Sequence, residues 1–374
     1  MPRLVALDLP GGPDFVDSLQ RIWSRGDAVL PIDQRLPRGA AEALVTSMGC
    51  HSVVDNSGEH TVDGGRDTEP DDALVVATSG STGAPKGVVL THRAVAASAD
   101  ATSRRLGVRP DDHWLACLPL AHVGGLSVVT RALHRGVRLT VLPRFDADAV
   151  SAAAASGATL TSLVATALQR IDPTIFRWIV LGGSRPPRDR PTNTVTTYGM
   201  TETGSGVVYD GLPLDGVEIR IADNREILIR CPMMLRAYRD GTSPVDADGW
   251  LHTGDLGGLS VAGLLQVEGR AGDLIITGGE KVWPEAVEAA ILTHPQVADA
   301  GVAGVPDAEW GQRVTAWIVP VDSTAVPTLA QLRDHVNTSL PMFMAPRELR
   351  IVLEMPRTAL GKLQRKQLAT TVDT

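Results

Sequence analysis

The sequence predicts an α/β protein: a large amino-terminal domain of layered sheets and helices over residues 1–269, then a small α+β domain over residues 270–374. Three observations carry this reading. Short apolar runs alternate with Ala-rich helical stretches through the first half. After residue 210 the pattern changes to period-two alternation. At 374 residues the chain is also too long for a single core.

Taken in order, "DALVVATSG" (72–80) reads as a buried strand ending in a glycine-rich loop, and "HRAVAASADATSRRLG" (92–107) as a helix closed by Gly107. "HWLACLPL" (113–120) reads as a strand, "GGLSVVTRALHRG" (124–136) as a helix and "VRLTVLP" (137–143) as the next strand. "RWIVLGG" (177–183) and "TVTTYGM" (194–200) add two strands that run into loop residues. Such a repeat gathers ligand groups at the carboxyl ends of strands. "VEIRIADNREILIR" (217–230) alternates around Asp223-Asn224 as a hairpin does. Beyond a boundary near "VEGRAGD" (267–273) come a helix with Pro284 near its first turn (283–297), a strand (314–321) and a second helix (328–340). That domain of roughly a hundred residues is large enough to fold by itself.

Composition narrows the function. Hydrophobic residues make up 43% and charged residues 21%, an ordinary globular balance. A net charge of −8 argues against a general binder of nucleic acid or anionic membrane. Cys50, Cys117 and Cys231 lie far apart, fit no zinc or disulfide spacing, and are expected to be buried apolar groups. Asp8 and Pro10 interrupt the first apolar run, so no signal peptide is expected, and no run approaches the ~18 apolar residues of a membrane span. A soluble, cytoplasmic protein is the expectation. Lysine is scarce: Lys86, Lys281, Lys362 and Lys366 are the only four, and every other basic residue is arginine. A lysine kept against that bias is a candidate for work that needs a compact, flexible ammonium.

One such lysine lies in "TSGSTGAPKGVVLTH" (78–92). Thr78, Ser79, Ser81 and Thr82 supply hydroxyls, Gly80, Gly83 and Gly87 let backbone N–H groups approach an anion, and Lys86 adds a mobile charge. A nucleotide phosphate is the expected guest. Pro85 and Gly87 on either side of Lys86 exclude the Walker A pattern, which needs Gly before the lysine and Ser or Thr after it.

Together with motifs that follow in order to residue 366, this loop resembles the phosphate loop of the adenylate-forming superfamily, which includes acyl-CoA synthetases and peptide-synthetase adenylation domains. The resemblance implies ATP, Mg²⁺ and coenzyme A as cofactor and co-substrates. In "TYGMTETG" (197–204) it implies Tyr198 packed on adenine, Thr201 on phosphate and Glu202 on the metal. That fits an ion which often takes only one or two carboxylates besides phosphate oxygens. In "LGGSRPP" (181–187) it implies Gly182, Gly183 and Ser184 along the base, and in "GWLHTGDLG" (249–257) Asp255 on the ribose hydroxyls. In "GRAGDLIITGGEKVWPEAVE" (269–288), Arg270 matches an arginine that reaches the nucleotide near an interdomain hinge. The hinge position itself falls on Gly272, where relatives often carry a polar side chain, and Asp273 follows it. Gly278 and Gly279 match either a pantetheine tunnel or a plain turn. In "PRTALGKLQRK" (356–366), Lys362 matches the lysine that bridges the attacking carboxylate and the α-phosphate. The small domain is accordingly expected to be mobile, and Lys362, Thr201, Glu202 and Lys86 are the expected catalytic set.

The acyl site is expected around "LPLAHVGGLSVVTRALHRG" (118–136), which with "VVYDGLPLDGVEIR" (207–220) resembles the o-succinylbenzoate–CoA ligase branch, enzymes of menaquinone biosynthesis. That branch implies a diacid with one carboxylate activated and the other held. His122 sits where relatives place a residue near the acyl group. Arg131, nine residues later, can share a helix face with Gly124 and Ser127 and offers a bidentate fork. Gly204, Ser205 and Gly206 would form a small-residue wall beside an aromatic ring. The chain ends twelve residues beyond Lys362, so a free-standing ligase is expected, with a carboxylic acid, ATP and coenzyme A as partners and a homodimer left open. Two alternatives stand beside this reading: a ligase for another aryl or medium-chain acid, and a nucleotide-binding module without catalysis.

Overall fold

The computed structural model describes residues 1–79, 85–183, 189–357 and 363–368. By its internal contacts the chain divides into two units, Met1–Arg220 with Leu228–His252, and Ile221–Ile227 with Thr253–Thr374.

The first unit holds two seven-stranded sheets. Strands β1 (Leu4–Leu7), β2 (Ala28–Pro31), β3 (Ser52–Asp55), β4 (Gly58–Thr61), β5 (Asp72–Ser79) and β6 (Pro85–Thr91) join the short strand Ala237–Tyr238 in the first. Their order is Ala237–Tyr238, β6, β5, β2, β1, β3, β4. The second contains β7 (His113–Ala116), β8 (Arg138–Val141), β9 (Leu160–Leu163), β10 (Trp178–Leu181), β11 (Thr194–Met200), β12 (Ser205–Tyr209) and β13 (Leu212–Pro213), in the order β13-β12-β11-β10-β9-β7-β8. The five strands from β8 to β11 along that order are parallel, so their carboxyl ends share one edge. Helices α1 (Pro13–Ser24) and α2 (Arg38–Met48) accompany the first sheet. Helix α3 (His92–Leu106) packs on β5 and β6, α4 (Val123–Arg135) packs on β7, β8 and β9, and the two helices pack on each other. The unit is therefore layered sheet, helix, helix, sheet, as the alternating pattern predicts.

The helix ends follow local chemistry. Thr91 caps α3 by accepting from the Ala94 N–H, and Gly107 ends it at φ +56°. Gly136 ends α4 in the same way at φ +62°. Buried β-branched and leucine side chains fill the space under each sheet: Leu4, Leu30, Val75 and Val89 in the first, Leu115, Leu163, Ile179 and Leu181 in the second.

Strand Leu251–Leu259, which belongs to the second unit from Thr253 onward, pairs from Asp255 with Leu265–Arg270. A five-stranded sheet runs Glu280–Val282, Ile275–Thr277, Gly311–Pro320, Val297–Asp307, with Glu348–Ile351 beside Gly311–Pro320. Helices Pro284–Ile291 and Leu329–Asn337 contribute Val287, Ile291, Leu332 and Val336 to its core. Thr328 and Gln331 form a capping box at the start of the latter.

Three elements differ from expectation. The strand expected over 113–120 stops at Ala116, because the chain with Pro119 turns away to start α4. The helix expected to reach 297 ends at Ile291; Pro295 bars His294 from the helical region, and Val297 opens a strand instead. The turn expected on Asp223-Asn224 closes with the Arg225 N–H donating to Ala222 O, and it is Arg225 that takes the positive φ of 71°.

Candidate active site

In the second sheet the parallel topology delivers three expected segments to one edge. Gly182 and Gly183 follow β10, Tyr198 lies near the end of β11, and His122 follows β7 as the residue before α4. Gly182 donates its N–H to Leu163 O at 3.1 Å, which keeps the segment against β9, and Gly183 has φ +89°. Thr197 donates to Leu181 O at 3.4 Å, tying β11 to the same edge. Gly199 has no alternative: an added Cβ would lie 2.2 Å from Ser205 O across the β11–β12 pair.

After β11 a single 3₁₀ turn, Thr201–Thr203, presents Thr201 and Glu202 and ends on Gly204 at φ +67°. Thr203 is wholly buried and locks this turn, accepting from the Met200 N–H at 3.0 Å and donating to Ser205 O at 2.8 Å. On the first sheet, β5 and β6 pair antiparallel with Thr78 opposite Lys86, and Thr78 donates to Lys86 O at 3.4 Å. Gly80, Ser81, Thr82, Gly83, Ser184 and Lys362 lie outside the described residues, as does the side chain of Ser79.

Two expected residues from distant motifs meet here through one the sequence reading did not single out. Tyr238 donates its hydroxyl to Glu202 Oε1 at 2.9 Å, and Lys86 Nζ stands 4.5 Å from the centroid of the same ring.

His122 has partners that were not expected. Its Nε2 lies 3.4 Å from Asp33 Oδ2 and 3.3 Å from Arg35 Nη2, and Arg35 pairs with Asp33 at 2.6 Å. Burial pushes the imidazole below its ordinary pKa; Asp33 opposes that and Arg35 adds to it. Burial would raise the Asp33 carboxyl, but the hydrogen bonds and charge of Arg35 outweigh it and hold the group below the usual range.

Arg131 is 1% exposed. Its Nη2 donates to Ser205 Oγ and, at 3.5 Å, to Tyr209 OH, while its guanidinium carbon lies 5.8 Å from the Trp114 ring centroid. Nε and Nη1 are buried with no hydrogen-bond partner, and no carboxylate pairs with this cation among the described residues. Ser205 Oγ lies 3.4 Å from Ser127 Oγ, and Tyr209 OH lies 3.2 Å from Thr102 Oγ1. Ser127 and Gly204 line a small pocket with Ser98, Thr130, Leu74 and Leu90. A Cβ added at Gly206 would meet Thr197 at 2.7 Å, and one added at Gly124 would lie 3.7 Å from Leu118. An isolated buried cation costs several kcal/mol unless it is paired.

In the second unit Asp255 and Arg270 face each other across the strand pair and are joined at 2.8 Å. Arg270 also donates to Thr253 O at 2.9 Å. Gly272 sits in a 3₁₀ turn, Ala271–Asp273, with nothing within 4 Å of an added Cβ. Arg365, three residues past Lys362, pairs with Asp273 at 3.0 Å, Glu285 at 3.0 Å and Glu288 at 2.7 Å. Burial pushes the Glu288 carboxyl up despite that arginine. Leu363 bridges to Arg357, which Asp299 holds at 2.6 Å.

Comparison with known proteins supplies the family. The AMP-binding enzyme model matches residues 56–239, and the model of the C-terminal domain of AMP-binding enzymes matches 286–362. A probable 2-succinylbenzoate–CoA ligase of Mycobacterium tuberculosis is 40% identical over 365 residues, covering 91% of this chain and 94% of that protein. The 2-succinylbenzoate–CoA ligase of Bacillus anthracis is 36% identical over 339 residues, covering 80% of this chain and 70% of that one. Among solved structures, o-succinylbenzoate CoA synthetase of Bacillus subtilis in complex with its acyl-adenylate intermediate superposes with a TM-score of 0.89 at 28% identity, over 99% of this chain and 89% of that one. The same enzyme has been solved with ATP and magnesium, with a TM-score of 0.87 over 98% of this chain and 89% of that one. The motifs, the layered fold and these matches agree: the chain belongs to the AMP-binding enzyme family.

Proposed function

We propose that the protein is an ATP-dependent 2-succinylbenzoate–CoA ligase of menaquinone biosynthesis, acting in the cytoplasm. The observation that carries the choice of acid is Arg131, a buried guanidinium with two unpartnered nitrogens beside the hydroxyls of Ser205 and Tyr209. A mono-acid leaves that charge uncompensated. A second carboxylate answers it, directly or through Ser205 and Ser127. His122, held by Asp33 and Arg35, is the residue before α4, the helix that carries Arg131.

In the first half-reaction a carboxylate oxygen of the acid attacks the α-phosphorus of ATP and pyrophosphate leaves, giving the acyl-adenylate. Thr78, Ser79, the loop 80–83 and Lys86 cradle the phosphates, Thr201 contacts one of them, and Tyr198 with Gly182, Gly183 and Ser184 holds the base. Asp255 takes the ribose hydroxyls, with Arg270 next to it. Lys362 neutralises the charge that builds between carboxylate and α-phosphate, and removing such a donor costs on the order of 10²–10³ in rate. In the second half-reaction the coenzyme A thiol attacks the acyl carbonyl, AMP leaves and the thioester remains. A domain of residues 270–374, turning at Gly272, carries Lys362 in for the first step and out for the second.

Magnesium fits Glu202. The Glu202 carboxylate accepts from the Tyr238 hydroxyl at 2.9 Å, and magnesium often takes only one or two protein carboxylates beside phosphate oxygens. When bound it supplies charge neutralisation on the phosphates.

The test is mass spectrometry of products from purified protein with ATP, magnesium, coenzyme A and 2-succinylbenzoate, with benzoate and octanoate in parallel. AMP and a thioester from 2-succinylbenzoate alone is the expected result. A thioester formed only from another acid would overturn the choice of acid and keep the chemistry.

A further inference from the structure

Lys86 and Glu202 carry opposite charges, and both belong to the phosphate end of the site under the reading above, on which this inference rests. A flexible ammonium and a carboxylate brought this close tend to pair, and a pair would spend both charges on each other. Among the described residues they do not pair. Tyr238 stands between them, offering the face of its ring to Lys86 Nζ, 4.5 Å from the centroid, and its hydroxyl to Glu202 Oε1 at 2.9 Å. One side chain thus holds a cation by its quadrupole and an anion by a hydrogen bond, at opposite parts of the same ring.

The backbone that carries Tyr238 is tied down on both sides. Leu235 donates its N–H to Glu202 O at 2.7 Å, Arg236 to Val89 O at 2.9 Å and Arg239 to Gly87 O at 2.7 Å. Ala237 and Tyr238 pair with Val89 and Val88 of β6, the strand that begins with Pro85 and Lys86. The flanking arginines anchor the strap further. Arg236 grips Asp72, itself 1% exposed, with two bonds of 2.8 and 2.9 Å. Arg239 donates to Met48 O at 2.9 Å and Asp67 O at 2.8 Å, so its charge is spent on backbone carbonyls and not on Glu202. This framework fixes the backbone of Tyr238, whose ring faces Lys86 and whose hydroxyl reaches Glu202.

We infer that Tyr238 is a positioning residue that keeps Lys86 and Glu202 apart and aims the Glu202 carboxylate for the magnesium of Mg·ATP. Its hydroxyl serves the metal side and its ring serves the lysine side, so the two parts separate experimentally. Tyr238→Phe keeps the ring and removes the hydroxyl; Tyr238→Leu removes both.

The measurement is calorimetric titration of the full-length protein with ATP, once with magnesium and once with EDTA, and no acid present. Residues that orient a metal ligand typically contribute 10–100-fold in metal affinity, so Tyr238→Phe is expected to weaken Mg·ATP by about 10-fold and leave metal-free ATP within about twofold. Tyr238→Leu is expected to weaken both, because Lys86 is then released to Glu202. A Tyr238→Phe protein that binds Mg·ATP as wild type does, or that loses both titrations equally, overturns the inference. Wild-type protein that fails to bind Mg·ATP overturns it together with the ligase reading. Wild-type protein that binds Mg·ATP but forms no thioester from any acid overturns the ligase reading alone, and the Phe comparison still decides this one.

Discussion

Arg131 combines two properties that pull in opposite directions, and a single substitution separates them. Its buried, unpaired charge costs the free protein stability, while the same charge is what a second carboxylate would seek. Replacing it with an apolar side chain of similar volume, Arg131→Met, is therefore expected to leave the melting temperature unchanged or raised. The KM for 2-succinylbenzoate is expected to rise by roughly 30-fold, the ~2 kcal/mol lower end of losing one side of a buried charged contact, with the KM for ATP unaffected. A KM that stays level would remove Arg131 from the acid site. Its position at the ninth residue after His122 was legible from helix spacing, but its lack of an acidic partner was not, because no local pattern records an absence in three dimensions. Tyrosine shows what rarity alone could have signalled. The chain has three, fewer than its four lysines; Tyr209 accepts from Arg131 and Tyr238 donates to Glu202. Asp33 and Arg35 gave no such signal, since their contact with His122 bridges 87 residues between Arg35 and the imidazole.

Among elements, the β11–turn–β12 hairpin sets Thr201 and Glu202, and its tightest point is Gly199. A methyl group there meets Ser205 O at 2.2 Å and Gly206 Cα at 2.6 Å, both backbone atoms that cannot swing aside. Gly199→Ala is expected to cost about 1–3 kcal/mol of stability, seen as a lower midpoint in urea, and to weaken Mg·ATP binding because the turn that follows is displaced. Wild-type stability in that variant would mean that the two strands are free to part. In the second unit, Arg365 binds the segment after Lys362 to Asp273, Glu285 and Glu288. Arg365→Ala leaves three carboxylates facing one another and is expected to lower adenylation far more than thioester formation from a supplied acyl-adenylate; equal losses in the two assays would make the cluster merely structural. Strands of the first unit were legible as short continuous apolar runs, since His113–Ala116 is buried along its whole length and Trp178–Leu181 nearly so, and the long helices were legible from a period near 3.6. The helix Pro284–Ile291 was overestimated since Ala and Leu carry the helical pattern past the point where Pro295 has already ended it. The acidic cluster around Arg365 was illegible for another reason: its members come from positions 273, 285, 288 and 365 and meet only once the sheet is built.

Across the whole molecule, the titrating groups divide into two pH windows that determine where the fold is stable. His92, His113, His122 and His294 all lie below their ordinary pKa, in each case chiefly through burial. Asp71 opposes the shift at His92 and Asp33 at His122, while Arg138 adds to it at His113 and His335 at His294. Each depressed imidazole takes its proton more readily in the unfolded chain, so around and just below the ordinary histidine value of about 6.5 the unfolded state holds more protons. Stability then rises with pH through that window and is fully present above it. Depressed carboxylates such as Asp33 and Asp112 act lower, losing their contribution only as pH falls below about 4. Glu288 has the opposite sign: its raised pKa favours the protonated fold, so its contribution declines as pH climbs through its folded value. Four histidines against one glutamate predict a melting temperature that rises between about pH 5 and pH 7, and a steeper rise in Glu288→Gln. His113 allows a second check, because it is buried beside Thr140 with its Nδ1 unpartnered; His113→Gln is expected to remove part of the slope. A melting temperature that is flat or falling from pH 5 to pH 7 in the wild-type protein would mean that these imidazoles are as free to charge in the fold as in the unfolded chain, and that the burial of His113 and the partial burial of the other three carry no penalty.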